Sequence, residues 1–415
     1  MKANSHYKVV VVGGGTGGTS VAALLARAGE VDLAIVEPSD RHFYQPLWTL
    51  VGAGVVHKET SVRAQSLYIP RGIRWLKERV GEIDAIKRHI ATESGTIVSY
   101  DFLVLAPGVT LNLDGVPGLR EALNMTSVST NYQYETAPKT WDLIRNFKGG
   151  VALFHMPSYP IKCPGAPQKI MYLAADYFRR TGISRSTQVI YGCGGAAIYG
   201  IKEYATVLNA VLERYGIEPR YNHELVEIRP EKREAIFAIT KEPSRDRVLI
   251  NYDLLHVAPP QGSPEFVRKS GLANDKGWIK VDQYTLRHLD HPEIFALGDA
   301  AGTPNSKTGA SACKQATVVA SNLLTLMKGK ELTAHYDGYV ACPIVTGYGK
   351  MLLCEFDYSG KPAPTLRFID TFKERYDMWL LKRYGLPWIY WNLALKGRSI
   401  PFLNRQVKAA RPREL

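Results

Sequence analysis

Cysteine is sparse in this chain, and long apolar runs are absent from it. Five cysteines in 415 residues are too few for a disulfide-stabilised secreted scaffold. None of them forms a C-x-x-C pair, so the sequence offers no zinc ribbon, thioredoxin motif or c-type haem site, and no metal site is expected. No run of about 18 uninterrupted apolar residues occurs, which argues against a transmembrane helix. Low-complexity tracts are also missing, and this excludes a disordered protein.

A β-strand is predicted almost at once, from Tyr7 to Val12, and this leaves no room for a signal peptide. The chain carries a net charge of +13, which indicates an anionic partner such as a nucleic acid, an acidic membrane surface or an anionic substrate. Much of the excess is C-terminal, because ten Lys and Arg stand against three Asp and Glu after residue 370. No nucleic-acid-binding motif accompanies these cations, so nucleic acid is not expected as a partner.

A glycine-rich turn follows the first predicted strand. It reads Gly13-x-Gly15-x-x-Gly18 and leads into an Ala/Leu-rich predicted helix at 19–28. The glycines permit a tight turn and close approach to a pyrophosphate, and the helix N-terminus offers free N–H groups. Glu37 ends the next predicted strand, at the spacing of an acid that binds ribose hydroxyls. A turn in an unrelated α/β unit is the alternative, but strand, helix and acid together favour a dinucleotide site.

Two later segments add to this pattern. The predicted strand that begins at Tyr100 ends in a small-residue turn at Gly108, and the one that begins at Ile294 ends in Gly-Asp299. Together with the first motif they resemble the flavoprotein disulfide reductase superfamily. The resemblance implies FAD, not NAD, in the first domain, with Gly108 and Asp299 among the flavin-binding residues. Asp299 could instead cap the helix that follows it.

The place where this superfamily binds NAD(P)H is altered. A strand is predicted over Gly150–Met156, but the next turn, 157–169, carries prolines and Cys163 where a glycine cradle is expected. A helix is predicted over Gln168–Arg180 and a strand over Gln188–Tyr191. The scaffold is therefore expected to remain while NAD(P)H binding is lost.

The cysteines fall into two groups. Cys163 precedes a predicted helix N-terminus, and nearby Lys162 and Lys169 favour a thiolate there. Cys342 also precedes a proline, at an expected helix or loop edge. The residues alone leave open whether these two form a redox pair or are buried small hydrophobes. The remaining cysteines, Cys193, Cys313 and Cys354, are interpreted as buried small hydrophobes.

Three stretches, 37–54, 162–173 and 342–348, resemble sulfide:quinone oxidoreductases, and most closely the subgroup that includes the mitochondrial enzyme. The resemblance runs from about residue 7 to about residue 400. It places the redox cysteines at Cys163 and Cys342. It places flavin contacts at Thr16, Gly17, Glu37, Gln45, Val80, Asp299, Lys307, Thr308, Gly309 and Ala310.

The resemblance also implies a reaction. Hydrosulfide attacks a disulfide or trisulfide between the two cysteines, and two electrons pass through FAD to a quinone of the ubiquinone or menaquinone type. It assigns the persulfide to Cys163 and the flavin-facing thiolate to Cys342, and a small sulfur acceptor removes the sulfur. No cysteine precedes Cys163, so the third cysteine of other subgroups is missing. The alternatives are a single-subunit NADH:quinone reductase, a sulfide dehydrogenase that reduces a cytochrome, and a non-catalytic flavin-binding interaction protein.

Residues 371–404 are rich in aromatic and basic side chains. Gly385 and Pro387 predict two short helices. Their apolar faces are expected to lie at a membrane surface as an interfacial anchor. These faces contain Phe372, Tyr376, Trp379 and Leu380 in the first helix, and Trp388, Trp391 and Leu395, beside Lys396, in the second. Packing against the core or a subunit partner is the alternative, so a homo-oligomer stays open.

The expected fold class is thus α/β, with two tandem Rossmann-like dinucleotide-binding domains and a C-terminal amphipathic helical membrane-binding region. The FAD domain is expected over 1–115 and 285–335. The second, degenerate nucleotide-binding-like domain, with Cys163, is expected over 116–284. The C-terminal region, with Cys342 and the anchor, is expected over 336–415. The expected location is peripheral (monotopic), at a bacterial-type plasma membrane.

Overall fold

A computed structural model describes residues 5–241 and 246–400 of the chain. The ends of the predicted first domain and of the predicted anchor, 1–4 and 401–415, lie outside the described residues. The described part has the predicted mixed α/β architecture, built on two largely or wholly parallel sheets. None of its helices combines the length and hydropathy needed to cross a bilayer.

The strands and helices follow one another in an order typical of α/β proteins. The strands of the described residues are β1 (Ser5–Val12), β2 (Leu33–Val36), β3 (Arg41–Phe43), β4 (Val62–Ala64), β5 (Arg74–Leu76), β6 (Val80–Asp84), β7 (His89–Thr92), β8 (Ile97–Leu105), β9 (Thr110–Leu111), β10 (Val128–Ser129), β11 (Gly150–Met156), β12 (Thr187–Cys193), β13 (Ile217–Tyr221), β14 (His223–Arg229), β15 (Glu234–Ile239), β16 (Arg247–Asn251), β17 (Leu254–His256), β18 (Gln261–Gly262), β19 (Ile294–Ala296), β20 (Val340–Gly347) and β21 (Lys350–Phe356). The α-helices are α1 (Thr16–Arg27), α2 (Trp48–Val51), α3 (Leu119–Ala122), α4 (Ala137–Asn146), α5 (Ala166–Arg180), α6 (Lys202–Tyr215), α7 (Glu265–Lys269), α8 (Gly309–Leu326), α9 (Tyr376–Leu380) and α10 (Leu386–Asn392).

The larger sheet is centred on β1. Parallel pairing joins β5, β2, β1 and β8, and β19 lies parallel to the carboxyl half of β8. The antiparallel ribbon of β6 and β7 extends the sheet beside the amino half of β8. Val9 to Val12 are buried, which explains why β1 reads as a continuous apolar run. The carboxyl ends of β1, β2, β8 and β19 therefore meet at one edge, where ligands of parallel sheets bind.

The second sheet is wholly parallel, in the order β10-β17-β11-β12-β13. Strand β11 has the predicted bounds, and β12 is longer than predicted. Helix α5 begins at Ala166, two residues before the predicted start, because Pro167 fits the first helical turn. A small antiparallel sheet of β14, β15 and β16 lies within the same stretch of chain. The domain boundaries themselves stay a prediction.

Cys342 lies inside a strand, and the expected helix or loop edge is wrong. Strands β20 and β21 form an antiparallel hairpin with a turn around Tyr348 and Gly349. Pro343 is tolerated in β20 because this two-stranded ribbon leaves an edge that needs no N–H donor.

The C-terminal helices are continuous, so the predicted break at Gly385 and Pro387 is wrong. A π-helical turn, Leu381–Gly385, connects α9 directly to α10. Gly385 has right-handed helical angles (φ −69°, ψ −51°). Pro387 stands in the first turn of α10, and the wider π-helical turn accommodates both residues.

The predicted apolar face of this segment divides in two. Trp379, Trp391 and Leu395 are buried and belong to the largest hydrophobic core, so their assignment to the membrane face is wrong. The exposed side chains recur every fourth residue instead. From Tyr376 onward this spacing keeps them on one side of the helix, and Phe372 lies in the turn before it. We call this set the exposed stripe, and it consists of Phe372, Tyr376, Leu380, Tyr384 and Trp388.

Candidate active site

A cavity of about 250 Å³ opens at the carboxyl edge of the larger sheet. Its walls come from the glycine-rich turn, the segment at 45–49, the turn before α5 and the start of α8. Most of the predicted site residues line it, namely Gly13, Gly15, Thr16, Gly17, Glu37, Gln45, Gly108, Cys163, Asp299, Lys307, Thr308 and Gly309.

Gly18, Val80 and Ala310 do not line this cavity. Gly18 lies inside α1, where a Cβ would overlap the carbonyl oxygen of Gly13, so its role is close packing of helix on turn. Val80 begins β6 and is buried in the sheet core. Ala310 lies in the first turn of α8 and packs on the core beneath α1. Contact of these three residues with a cofactor stays a prediction.

The glycine-rich turn has the geometry of a phosphate cradle. Gly13 has φ +99°, and a Cβ there would overlap the carbonyl oxygen of Ala106, the residue that follows β8. A Cβ at Gly15 would meet no atom within 4 Å, because this position faces the cavity. Helix α1 begins at Thr16, so its unpaired N–H groups point to where a pyrophosphate would bind.

Glu37 is fixed in place at the end of β2. Its carboxylate accepts hydrogen bonds from the backbone N–H of Gly14 at 2.7 Å and of Ser39 at 2.8 Å. Both oxygens are thus oriented by the turn, and the side chain lines the cavity. This arrangement suits a carboxylate that binds ribose hydroxyls.

Asp299 and Lys307 both line the cavity and interact electrostatically. Burial raises the pKa of Asp299, an effect that Lys307 opposes. Burial lowers the pKa of Lys307 to about 8, and its ammonium lies 3.9 Å from the Trp278 ring centroid. The cap of α8 is Thr308, whose hydroxyl accepts the Ser311 N–H. A capping role for Asp299 is therefore not supported.

Cys163 lies at the cavity wall in a constrained conformation. It has φ +86°, which non-glycine residues rarely adopt, in the turn just before α5. Its carbonyl accepts the Ala166 N–H at 2.7 Å and the Tyr132 hydroxyl at 3.3 Å. Such strain persists where neighbouring contacts impose it, and it is concentrated at functional sites.

Cys342 lies directly behind Cys163. The two thiols share a hydrogen bond, although 178 residues separate them in sequence. A Cβ at Gly165 would come within 2.7 Å of the Cys342 sulfur, so only glycine allows α5 and β20 to pack this closely. Cys342 is 2% exposed and does not line the cavity.

The environment makes the two thiols unequal. The hydrogen bond from Cys342 holds the pKa of Cys163 well below its usual range, burial opposes this, and Lys169 and Lys382 reinforce it. The Lys169 ammonium is 3.5 Å from the Cys163 sulfur. The same hydrogen bond, together with burial, raises the pKa of Cys342. These pKa directions favour a thiolate at Cys163, on the cavity wall, whereas the resemblance implies the flavin-facing thiolate at Cys342, and that assignment stays a prediction.

Lys382 was missed as a site residue. Its ammonium donates to the Pro46 carbonyl at 2.9 Å, and burial lowers its pKa to about 7 while Cys163 and Cys342 raise it. The apolar faces predicted for this segment do not include it. A single lysine in an aromatic segment carries no signal that it reaches a cysteine pair.

Comparison with known proteins agrees with this geometry. Residues 7–142 and 175–316 match the pyridine nucleotide-disulphide oxidoreductase family. The chain is 42% identical to the mitochondrial sulfide:quinone oxidoreductase of Mus musculus, covering 95% of this chain and 88% of the mouse protein. It is 39% identical to the mitochondrial enzyme of Dictyostelium discoideum, covering 96% and 88% respectively. The chain belongs to the sulfide:quinone oxidoreductase family.

Family membership implies a flavin cofactor and confirms the α/β disulfide-reductase fold. The crystal structure of the sulfide:quinone oxidoreductase from Aquifex aeolicus superposes with a TM-score of 0.77 over 94% of this chain and 92% of that chain. At 20% identity this match supports the fold alone. The two curated relatives named above are mitochondrial, so the expected bacterial-type plasma membrane is not supported.

Replacing Lys169 by methionine is expected to raise the pKa of Cys163. The nearby ammonium stabilises the thiolate, because an opposite charge at this distance lowers the pKa of a thiol. The pH profile of alkylation of Cys163 in the reduced protein measures this, and it should move to higher pH. Lys148→Met, at an exposed lysine, is the matched control. An unmoved profile would show that Lys169 does not stabilise the thiolate.

Replacing Gly165 by alanine is expected to separate the cysteines. The new methyl group would press on the Cys342 sulfur and on Ile344. Overpacking of this kind costs about 1–3 kcal/mol in a rigid core. We expect a lower melting temperature and slower formation of the Cys163–Cys342 disulfide, followed by thiol counting. The control is Gly200→Ala, where a Cβ meets nothing within 4 Å, and it should change neither the melting temperature nor the rate of disulfide formation. Equal behaviour of the two variants would contradict the close packing of Gly165 against Cys342.

Proposed function

We propose that this protein oxidises hydrogen sulfide through the Cys163–Cys342 pair and passes two electrons by way of FAD to a quinone. One observation carries the proposal. Cys163 lies at the wall of the dinucleotide cavity, in the turn that replaces a second nucleotide cradle, and Cys342 contacts it from behind. Sulfur chemistry therefore takes the position from which a nicotinamide would otherwise deliver electrons.

The described residues fit FAD as the flavin. The turn at 13–16 and the start of α1 would hold the pyrophosphate, and Glu37 would hold the adenosine ribose. Asp299 and the start of α8 would hold the ribityl end, next to Cys163. When bound, FAD supplies a two-electron acceptor that reacts with thiolates and with quinones.

The leaving group decides where hydrosulfide attacks. In the oxidised protein a disulfide joins Cys163 and Cys342. Hydrosulfide attacks the Cys342 sulfur, the new S–S bond makes Cys342 a persulfide, and the old bond breaks with its electron pair on Cys163. Cys163 is the better leaving group because its pKa is the lower of the two. The thiolate thus forms on the side that faces the cavity.

The two buried lysines stabilise this thiolate. Lys169 approaches it from α5, and Lys382 approaches it from the π-helical turn. A buried anion without such partners would be strongly disfavoured. The outer sulfur of the Cys342 persulfide then leaves to a small sulfur acceptor, and a resting trisulfide in place of the disulfide stays a prediction.

The exposed stripe suits contact with a lipid surface. From Tyr376 onward its aromatic and apolar side chains project from one side of the helix, and Lys373 and Arg383 lie beside them. Tyr and Trp flanked by cations are typical of interfacial helices. The opposite face reaches the cofactor cavity, since the hydroxyls of Tyr390 and Thr16 share a hydrogen bond of 2.8 Å. A lipid-soluble quinone of the ubiquinone or menaquinone type would thus meet the protein where its cofactor is bound.

Quinone reduction assays test the proposal. Purified protein is mixed with a short-chain ubiquinone analogue, or with a menaquinone analogue, and either sulfide or NADH. We expect sulfide-dependent loss of quinone absorbance that a sulfur acceptor such as sulfite accelerates. Quinone reduction by NADH without a response to sulfide would instead support an NADH:quinone reductase.

A further inference from the structure

A third cysteine lies beside the redox pair. Cys354 in β21 is the direct cross-strand partner of Cys342 in β20. Residues directly opposite one another in an antiparallel pair project from the same face. Both side chains are buried in the largest core. The sequence does not reveal this, because the pairing depends on the turn that sets the register of the hairpin.

Cys354 shares neighbouring side chains with the redox pair. Lys169, whose ammonium contacts Cys163, also interacts electrostatically with Cys342 and Cys354. The Tyr199 hydroxyl is hydrogen-bonded to Cys354 and interacts with the other two sulfurs. Cys193, at the end of β12, has no such partner in common with the pair, and Cys313, in α8, shares with Cys163, but not with Cys342, an electrostatic interaction with Tyr44. Cys354 is therefore part of a three-sulfur cluster.

The backbone geometry allows a bond between Cys342 and Cys354. Directly opposed residues of an antiparallel pair have Cα atoms about 4.5–5.5 Å apart. Disulfides span Cα distances of about 4.4–6.8 Å. Only side-chain rotation is then needed to bring the two sulfurs together.

We propose that Cys354 is a third redox thiol, which exchanges with Cys163 for the disulfide to Cys342. The inference rests on the proposed function, because it starts from the Cys163–Cys342 disulfide. Cys354 loses its proton and attacks the Cys342 sulfur. The Cys342–Cys354 bond forms, the Cys163–Cys342 bond breaks, and Cys163 keeps the electron pair as a thiolate. No electrons enter or leave, and one proton is released.

The exchange gives sulfide a second disulfide to open. Hydrosulfide attacks the Cys342 sulfur of the Cys342–Cys354 bridge, and Cys354 departs with the electron pair. Burial raises the pKa of Cys354, so this thiolate takes up the proton of the new persulfide. The products are a Cys342 persulfide anion and a Cys354 thiol. Throughout, Cys163 remains a thiolate at the cavity wall.

Peptide mapping of the full-length protein tests this directly. The oxidised protein is held anaerobically, its free thiols are alkylated with N-ethylmaleimide at low pH, and it is digested with trypsin without reduction. Cleavage after Lys162, Lys169 and Lys350 places Cys163, Cys342 and Cys354 on separate peptides. The partner linked to the Cys342 peptide therefore identifies the disulfide.

We expect the Cys342 peptide to be linked to the Cys163 peptide and also to the Cys354 peptide. The second species should make up about one tenth or more of the total, as for two disulfides within about 1.4 kcal/mol of each other. Cys354→Ala should lose only that species, and Cys193→Ala should lose neither. A Cys163–Cys342 link with Cys354 fully alkylated would overturn this inference alone. Complete alkylation of all three would overturn the proposed function as well.

Discussion

Replacing either Cys163 or Cys342 by serine is expected to abolish flavin reduction by sulfide while flavin binding is retained. Each sulfur forms or breaks an S–S bond in the proposed step, and a hydroxyl can do neither. The loss should be on the order of 10³-fold or more, the scale seen when a covalent nucleophile is removed. Stopped-flow flavin absorbance after anaerobic mixing with sulfide measures it.

The two variants should nevertheless differ in the protonation of the cysteine that remains. Cys342→Ser leaves a thiolate at the cavity wall, whereas Cys163→Ser leaves only a buried thiol of raised pKa. Mass spectrometry of the sulfide-treated protein should place the persulfide on Cys342. Cys193→Ser is the matched control, since this thiol is buried away from the pair. A persulfide found on Cys163 would contradict the assignment made from the geometry.

Replacing Leu380 and Trp388 together by aspartate is expected to release the protein from membranes. Moving two such side chains from lipid to water costs about 3 kcal/mol, a drop on the order of 100-fold in partitioning. Both belong to the exposed stripe and make little contribution to the core, so folding should survive. Flotation with liposomes that contain anionic lipid measures the effect.

Leu289→Asp is the matched control for the stripe, since Leu289 is 64% exposed but lies far along the chain from it. This variant should float with liposomes as the unmodified protein does. Undiminished binding of the Leu380/Trp388 double variant would contradict a lipid-facing stripe. Loss of a dimer in that variant, seen by light scattering, would identify the stripe as a contact between copies of the chain.

Local patterns predicted the strand, the glycine-rich turn and the helix at the start of the chain. The turn at 13–18 lies between a buried strand and a helix, and Glu37 ends the next strand, so each role depends on near neighbours in sequence. Helix α1 nonetheless begins at Thr16, three residues before the predicted start, and it includes Gly17 and Gly18. Glycine is a poor helix former, and here packing outweighs that propensity.

The sulfur end of the site was less predictable because it depends on long-range packing. Family resemblance named Cys163 and Cys342, but only the fold shows which of them faces the cavity. Lys382 and Cys354 reach the pair through a π-helical turn and a hairpin register, respectively. Neither feature has a local signature. The same is true of the C-terminal segment, where periodicity predicted an apolar face but not which aromatic side chains the core would bury.

The anaerobic flavin spectrum tests the central claim most directly. Purified protein with its flavin oxidised is titrated first with sulfide and, in a separate cuvette, with NADH. A sulfur relay beside the flavin predicts that near-stoichiometric sulfide bleaches the flavin absorbance, while the same concentration of NADH leaves it unchanged. Bleaching by NADH together with a spectrum inert to sulfide would contradict it.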